Sequence, residues 1–172
     1  MRQEQINVYK FDELDSRAQE KALAYLSELD YAWWQFIFED ASNVGLDISE
    51  FDLYRNYIQG RFEVSGYDTA NEILKNHGDT CETYKLAVKF MEDWEGLVAH
   101  YSDGVKTDEV TDENSYDFDN DADILERDFE KMLLKDYLSL LQQEYEYLTS
   151  EECIRENIEA NGYEFYEDGS LF

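Results

Sequence analysis

The sequence predicts an α+β fold, mostly helical, with a small antiparallel β-sheet and a strongly acidic surface. Three observations carry that expectation. Apolar residues make up 43% of the 172 residues and aromatics 16%, whereas disordered acidic chains lack aromatics. Apolar positions recur at helical spacing through most of the chain. Residues of β type gather in three short stretches, 5–11, 51–64 and 163–172. The length fits a single domain over 1–172. The acidic coat follows from 42 Asp and Glu against 14 Lys and Arg, a net charge of −28.

In chain order, Ile6 and Val8 alternate with Asn7 as in a short strand. Asp12 is a plausible N-cap for a helix that carries Ala18, Ala22, Tyr25, Leu26 and Leu29. Asp30 can cap a second helix, Tyr31 to Val44, with Trp33, Trp34, Phe36, Ile37, Phe38 and Ala41, stopped by Gly45. Phe51, Leu53, Tyr57, Ile58, Phe62 and Val64 suit two short strands joined by a turn or broken by a bulge, with Gly60 inside. Arg55 and Arg61 in that stretch are expected to pair with acids. Asp68 is placed to cap a helix over 69–77, ended by Gly78. His77 in its last turn suits the negative end of the helix dipole. Asp79 or Thr80 can cap a helix over 81–101 with Tyr84, Leu86, Ala87, Phe90, Met91, Trp94, Leu97 and Val98 on its inner face, closed by Gly104.

Residues 103–120 read as an acidic exposed loop and 121–148 as one long helix. The helix stripe is Ile124, Leu125, Phe129, Met132, Leu133, Tyr137, Leu138, Leu140, Leu141, Tyr145 and Leu148. Thr149 or Ser150 caps a last helix over 151–160, with Glu152 as the capping-box partner of Thr149. Asn161-Gly162 ends it. The final segment reads as a hairpin turning at Asp168-Gly169.

The densest charge lies in DEVTDENSYDFDNDADILERDFE, residues 108–130. Eleven acids (Asp108, Glu109, Asp112, Glu113, Asp117, Asp119, Asp121, Asp123, Glu126, Asp128 and Glu130) face one base, Arg127, which places −10 of the chain's −28 in 23 residues. A compact fold with that imbalance gives up stability to self-repulsion. Solubility, cation binding and presentation of carboxylates to a basic surface are the three uses such a run can have. If the chain is extended there, Asp117, Asp119, Asp121 and Asp123 fall on one face about 6.7 Å apart. That is the scale set by one phosphate per ~3.4 Å of axis on each strand of duplex DNA. On a helix, Glu126 and Glu130 are neighbours about 6 Å apart.

Charge and motifs also exclude. A pI near 4.1 lacks the electrostatic footprint of a nucleic-acid binder and disfavours anionic membranes. No apolar run approaches the ~20 residues of a spanning helix, and MRQEQINVYKF has no apolar stretch of signal-peptide type. Cys81 and Cys153 read as free thiols in a reducing cytosol. His77 with Cys81 makes a poor nucleophilic pair, because a reactive thiolate needs positive charge nearby. Asp119, Asp121, Asp123 and Glu130 fall at positions 1, 3, 5 and 12 of a calcium loop, but position 6 is Ile124, where the loop needs Gly. No phosphate-binding, dinucleotide or zinc motif is found. The expectation is a protein that is not an enzyme and takes no cofactor and no metal.

The blocks YKFDELDSRAQEKA, WWQFIFEDASNVGLDISEFDLYR, TANEILKNHG and YLTSEECIRENIEANGYEFYEDGSLF, in that order, resemble a group of small acidic proteins of phages and prophages. The resemblance covers most of the chain and implies a bacterial-virus setting and the bacterial cytoplasm; it carries over no catalytic residue. By size and charge the chain is also similar to antirestriction and anti-CRISPR inhibitors that mimic DNA. The function expected on these grounds is a phage-type anti-defence inhibitor. Its eleven acids would occupy the nucleic-acid-binding surface of a basic host protein such as a CRISPR effector or a restriction enzyme. It would contact neither nucleic acid nor membrane. The alternative is an acidic regulatory partner, antitoxin-like, that binds a protein without imitating nucleic acid. In either case the melting temperature at neutral pH is expected to rise as monovalent salt is added, because salt screens the self-repulsion. A fall between low and moderate salt would mean that specific ion pairs dominate instead.

Overall fold

A computed structural model describes residues 6–29, 31–103 and 112–172, without the side chains of 102, 103 and 112–116. The elements in order are α1 (Ser16–Leu26), α2 (Gln35–Asn43), β1 (Leu46–Asp52), β2 (Tyr57–Phe62), α3 (Gly66–Asn76), α4 (Glu82–Asp103), α5 (Asp112–Leu148) and α6 (Glu151–Asn161). The α+β expectation holds: helices dominate, and the sheet is a two-stranded antiparallel one. The chain divides into two compact units, residues 34–142 and residues 1–33 with 143–172.

In the 34–142 unit, β1 and β2 form a hairpin with a bulge between Ile48 and Glu50. The turn and the bulge, expected as alternatives for this stretch, are therefore both present. The turn relies on Asn56, which takes φ 52°, a left-handed value that Asn tolerates better than most residues. The Asp52 carboxylate accepts the Arg55 amide at 3.0 Å and also pairs with its guanidinium at 3.5 Å. Gly60 sits opposite Ile48. A Cβ there would meet the Asp47 carbonyl at 2.5 Å and the Ile48 Cα at 3.2 Å, so only glycine lets the β1 backbone lie this close.

The core of this unit is Ile37, Ala41, Val44, Leu46, Ile48, Ala70, Ile73, Ala87, Phe90, Phe129, Leu133, Leu134, Tyr137, Leu138 and Leu141. Phe129 stacks on Phe90 at 4.4 Å and packs against Phe62 at 5.6 Å.

In the other unit, α1 and α6 pack around Phe11, Leu14, Ala18, Ala22, Ile154, Ile158 and Phe165. Among the described residues, 6–11 and 163–172 do not join a sheet. They make single antiparallel bridges, Tyr9 to Phe165 and Phe165 to Leu171. A 3-10 turn over Phe11–Glu13 bends the first segment away two residues after its bridge. The Asp168-Gly169 turn is present, with Gly169 at φ 82° and its Cα against the Ala18 backbone. Trp33 is buried here; Trp34 and Trp94 in the other unit are half-buried. That agrees with their place in the aromatic stripes.

Several helix starts differ from expectation. Asp15, not Asp12, caps α1, accepting the Ala18 amide at 2.8 Å, and the helix ends at Leu26 rather than Leu29. The second helix begins at Gln35 rather than Tyr31, and Asp30 lies outside the described residues. Ser65, not Asp68, caps α3; its hydroxyl accepts the Asp68 amide at 3.1 Å, which puts Asp68 in the first turn. The α4 helix starts after Cys81, whose thiol accepts the Tyr84 amide at 3.4 Å; Gly104 is outside the described residues. Ser150 caps α6, so the box of Thr149 with Glu152 does not form. Both cysteines are free.

The largest correction concerns 103–120. Residues 104–111 are outside the described residues, but α5 starts at Asp112 and runs unbroken for 37 residues. The reason is tertiary. Phe118 packs on Trp94 at 6.3 Å and on Tyr101 at 5.5 Å. With Ala122, Leu125 and Phe129 it extends the inner stripe of the helix two turns past Ile124, toward the N-terminus.

Candidate partner-binding site on helix α5

A helix turns about 100° per residue, so the predicted row of Asp117, Asp119, Asp121 and Asp123 on one face does not exist. Relative to Phe118, which points inward, the acids fall on two flanks. Asp117, Asp121 and Asp128 share one; Asp119, Asp123, Glu126 and Glu130 share the other. The calcium-loop spacing is undone in the same way, because residues 119–130 are helix, not loop. Among the described residues no group of three or more His, Cys, Asp or Glu is placed to hold a metal ion.

Asp117, Asp119, Asp121, Asp123 and Asp128 are exposed. Asp128 pairs with Lys131 at 3.3 Å. The carboxylate of Asp121 accepts the Tyr101 hydroxyl at 2.8 Å, and that bond holds the phenol protonated above its ordinary range. Among the described residues Arg127 makes no ion pair with a carboxylate; its Nε donates to the backbone carbonyl of Asp123 at 3.0 Å. No cation among the described residues pairs with Asp117, Asp119, Asp121 or Asp123.

Two members of the predicted set are engaged inside the fold. The Glu126 carboxylate accepts the Gly66 amide at 3.1 Å, and the Glu130 carboxylate accepts the Phe62 amide at 2.9 Å. Asp108 and Glu109 lie outside the described residues. Asp112 and Glu113 open the helix, and their side chains are outside the description. Sequence reasoning missed the acids of α4: Glu92, Asp93 and Glu95 are exposed, Asp93 in a pair with Lys89 at 2.6 Å. Their place beside Trp94, which packs on Phe118, was the signal available.

Further along α5 lies a polar junction. Tyr137 donates to Asp40 at 2.8 Å, and the His77 Nε2 stands 3.5 Å from the same carboxylate. His77 follows the last residue of α3 as its C-cap, and its buried Nε2 makes no hydrogen bond among the described residues. Burial, with Asp40 beside it, pushes the Tyr137 phenol far above its ordinary range. Asp136 accepts the Thr83 hydroxyl at 2.7 Å, yet burial holds its carboxyl above the ordinary range. The unfolded value is therefore the lower of the two. The carboxyl costs nothing below about pH 4 and destabilises the fold as pH rises through its folded value. Asp136→Asn keeps an oxygen for Thr83 and removes that charge. It is expected to raise the melting temperature at pH 7 by about 2 °C and to change nothing at pH 3.5. A lower melting temperature at pH 7 would show that the carboxylate is required.

No helix among the described residues is long and apolar enough to cross a membrane. Comparison with protein-family models, with curated proteins and with solved structures found no match to this chain.

Proposed function

We propose that the chain is a phage-type anti-defence inhibitor whose carboxylates stand in for nucleic-acid phosphates. In this reading it occupies the DNA- or RNA-binding surface of a basic host protein in the bacterial cytoplasm, such as a CRISPR effector or a restriction enzyme. It acts by occupancy, not by catalysis. The observation that supports it is the pairing state of Asp117, Asp119, Asp121 and Asp123: exposed, and without a cation partner among the described residues. Acids one turn apart on each flank are about 6 Å apart along the axis, close enough to displace the counterions of a basic groove together. The test is capture of host proteins from bacterial lysate on the immobilised chain at low and high salt. The reading expects nucleic-acid-binding proteins that are lost as salt rises. Capture indifferent to salt would overturn it.

A second reading, a regulatory partner that binds protein without mimicry, draws support from Tyr54. The hairpin turn holds this residue 99% exposed, next to Arg55, and Tyr and Arg are the types that anchor protein interfaces. Binding of that kind would survive high salt.

A further inference from the structure

We infer that Glu126 and Glu130 are positioning residues rather than part of the binding face: together they clamp the corner between β2 and α3 onto α5. The corner needs such a clamp. Phe62 ends β2, and its amide points away from β1, to the Glu130 carboxylate at 2.9 Å. Gly66 opens α3 after the Ser65 cap, and the first amides of a helix have no partner within it; this one goes to Glu126 at 3.1 Å. Two amides four residues apart thus meet two carboxylates four residues apart, and the contact spans 60 and 68 residues of sequence. A negative charge at the start of α3 is also favoured by its dipole.

The space is closed around the clamp. A Cβ on Gly66 would come within 3.0 Å of the Glu126 Cγ, and Phe129, between the two acids, packs on Phe62. With Glu126 and Glu130 fixed, the two turns before them hold Asp119 and Asp123 at a set orientation on the same flank. That consequence for partner binding rests on the proposed function; the clamp itself does not.

The two roles predict opposite outcomes for the isosteric change. A clamp needs an acceptor oxygen, which Gln retains and Ala lacks. A phosphate surrogate needs charge, which both lose. Amide hydrogen exchange of the intact chain over 112–125 is expected to accelerate about tenfold in E126A/E130A, the scale of losing a charge-assisted bond. In E126Q/E130Q it should stay within about twofold of wild type, since a neutral acceptor still bonds. The single variants E126A and E130A, each expected to show part of the effect, serve if the double alanine variant unfolds. Exchange unchanged by alanine, or accelerated equally by glutamine, would overturn the clamp. Either result can be read whether or not the chain binds a nucleic-acid-binding protein.

Discussion

Phe129→Ala is expected to cost about 3–5 kcal/mol, the range for removing a buried aromatic ring. Phe129 is fully buried, stacked on Phe90 and against Phe62, and it is the point where α5 meets both α4 and the hairpin. Removal leaves a cavity that two aromatic neighbours cannot close without leaving their own contacts. Domains are stable by only about 5–15 kcal/mol, so the 34–142 unit should lose roughly 10 °C of melting temperature or more. Trp94 fluorescence reports on this unit directly, because the indole lies 5.8 Å from the Phe90 ring. Ile124→Ala, on the same helix but at a position 44% exposed, should cost well under 1 kcal/mol. Equal losses from the two changes would mean that Phe129 is not the centre of this core.

Neutralising Asp117, Asp119, Asp121 and Asp123 together, each to Asn, is expected to weaken partner binding by a factor of about a hundred or more. The estimate follows from counterion release, in which each phosphate-like contact contributes to the salt slope. A single change should cost under about 1 kcal/mol, the scale of an exposed ion pair. The helix should survive, because Phe118, Ala122, Leu125 and Phe129 are untouched, and circular dichroism checks this before affinities are compared. Asp12→Asn, outside the acidic run in sequence and without a capping role, is the change that should leave affinity near wild type. A quadruple variant that binds as tightly as wild type would reduce these acids to a solvated coat.

The sequence was legible where a local rule decides. Asp168-Gly169, Asn161-Gly162 and Gly45 each end or turn the chain where their backbone freedom predicts. The stripes of α4 and α5 were legible for Ala87, Phe90, Phe129, Leu133, Tyr137, Leu138 and Leu141, but Val98, Ile124, Met132 and Tyr145, counted in them, are exposed. Caps were legible only to within a few residues, because Asp12 and Asp15, or Ser65 and Asp68, have equivalent chemistry one turn apart. The start of α5 was hidden, because Phe118 and Ala122 are single apolar positions among acids, and their partners Trp94 and Tyr101 are on another helix. For the site, sequence located the acids but not their arrangement. Charge density marks residues 108–130 without distinguishing Asp119, which is exposed, from Glu130, which bonds an amide 68 residues away. The short sheet was over-extended for a related reason. β-type residues in 5–11 and 163–172 suffice for single bridges, and the turns at Phe11 and Gly169 stop the pairing there.

Mimicry requires that the chain and nucleic acid compete for one surface. The measurement that tests this most directly is the affinity of the chain for its captured host protein at rising concentrations of that protein's own DNA or RNA, at fixed salt. Competitive behaviour, with apparent affinity falling in proportion to added nucleic acid and no ternary complex, is the predicted result. A stable complex of chain, host protein and nucleic acid, with affinity unchanged, would contradict the account.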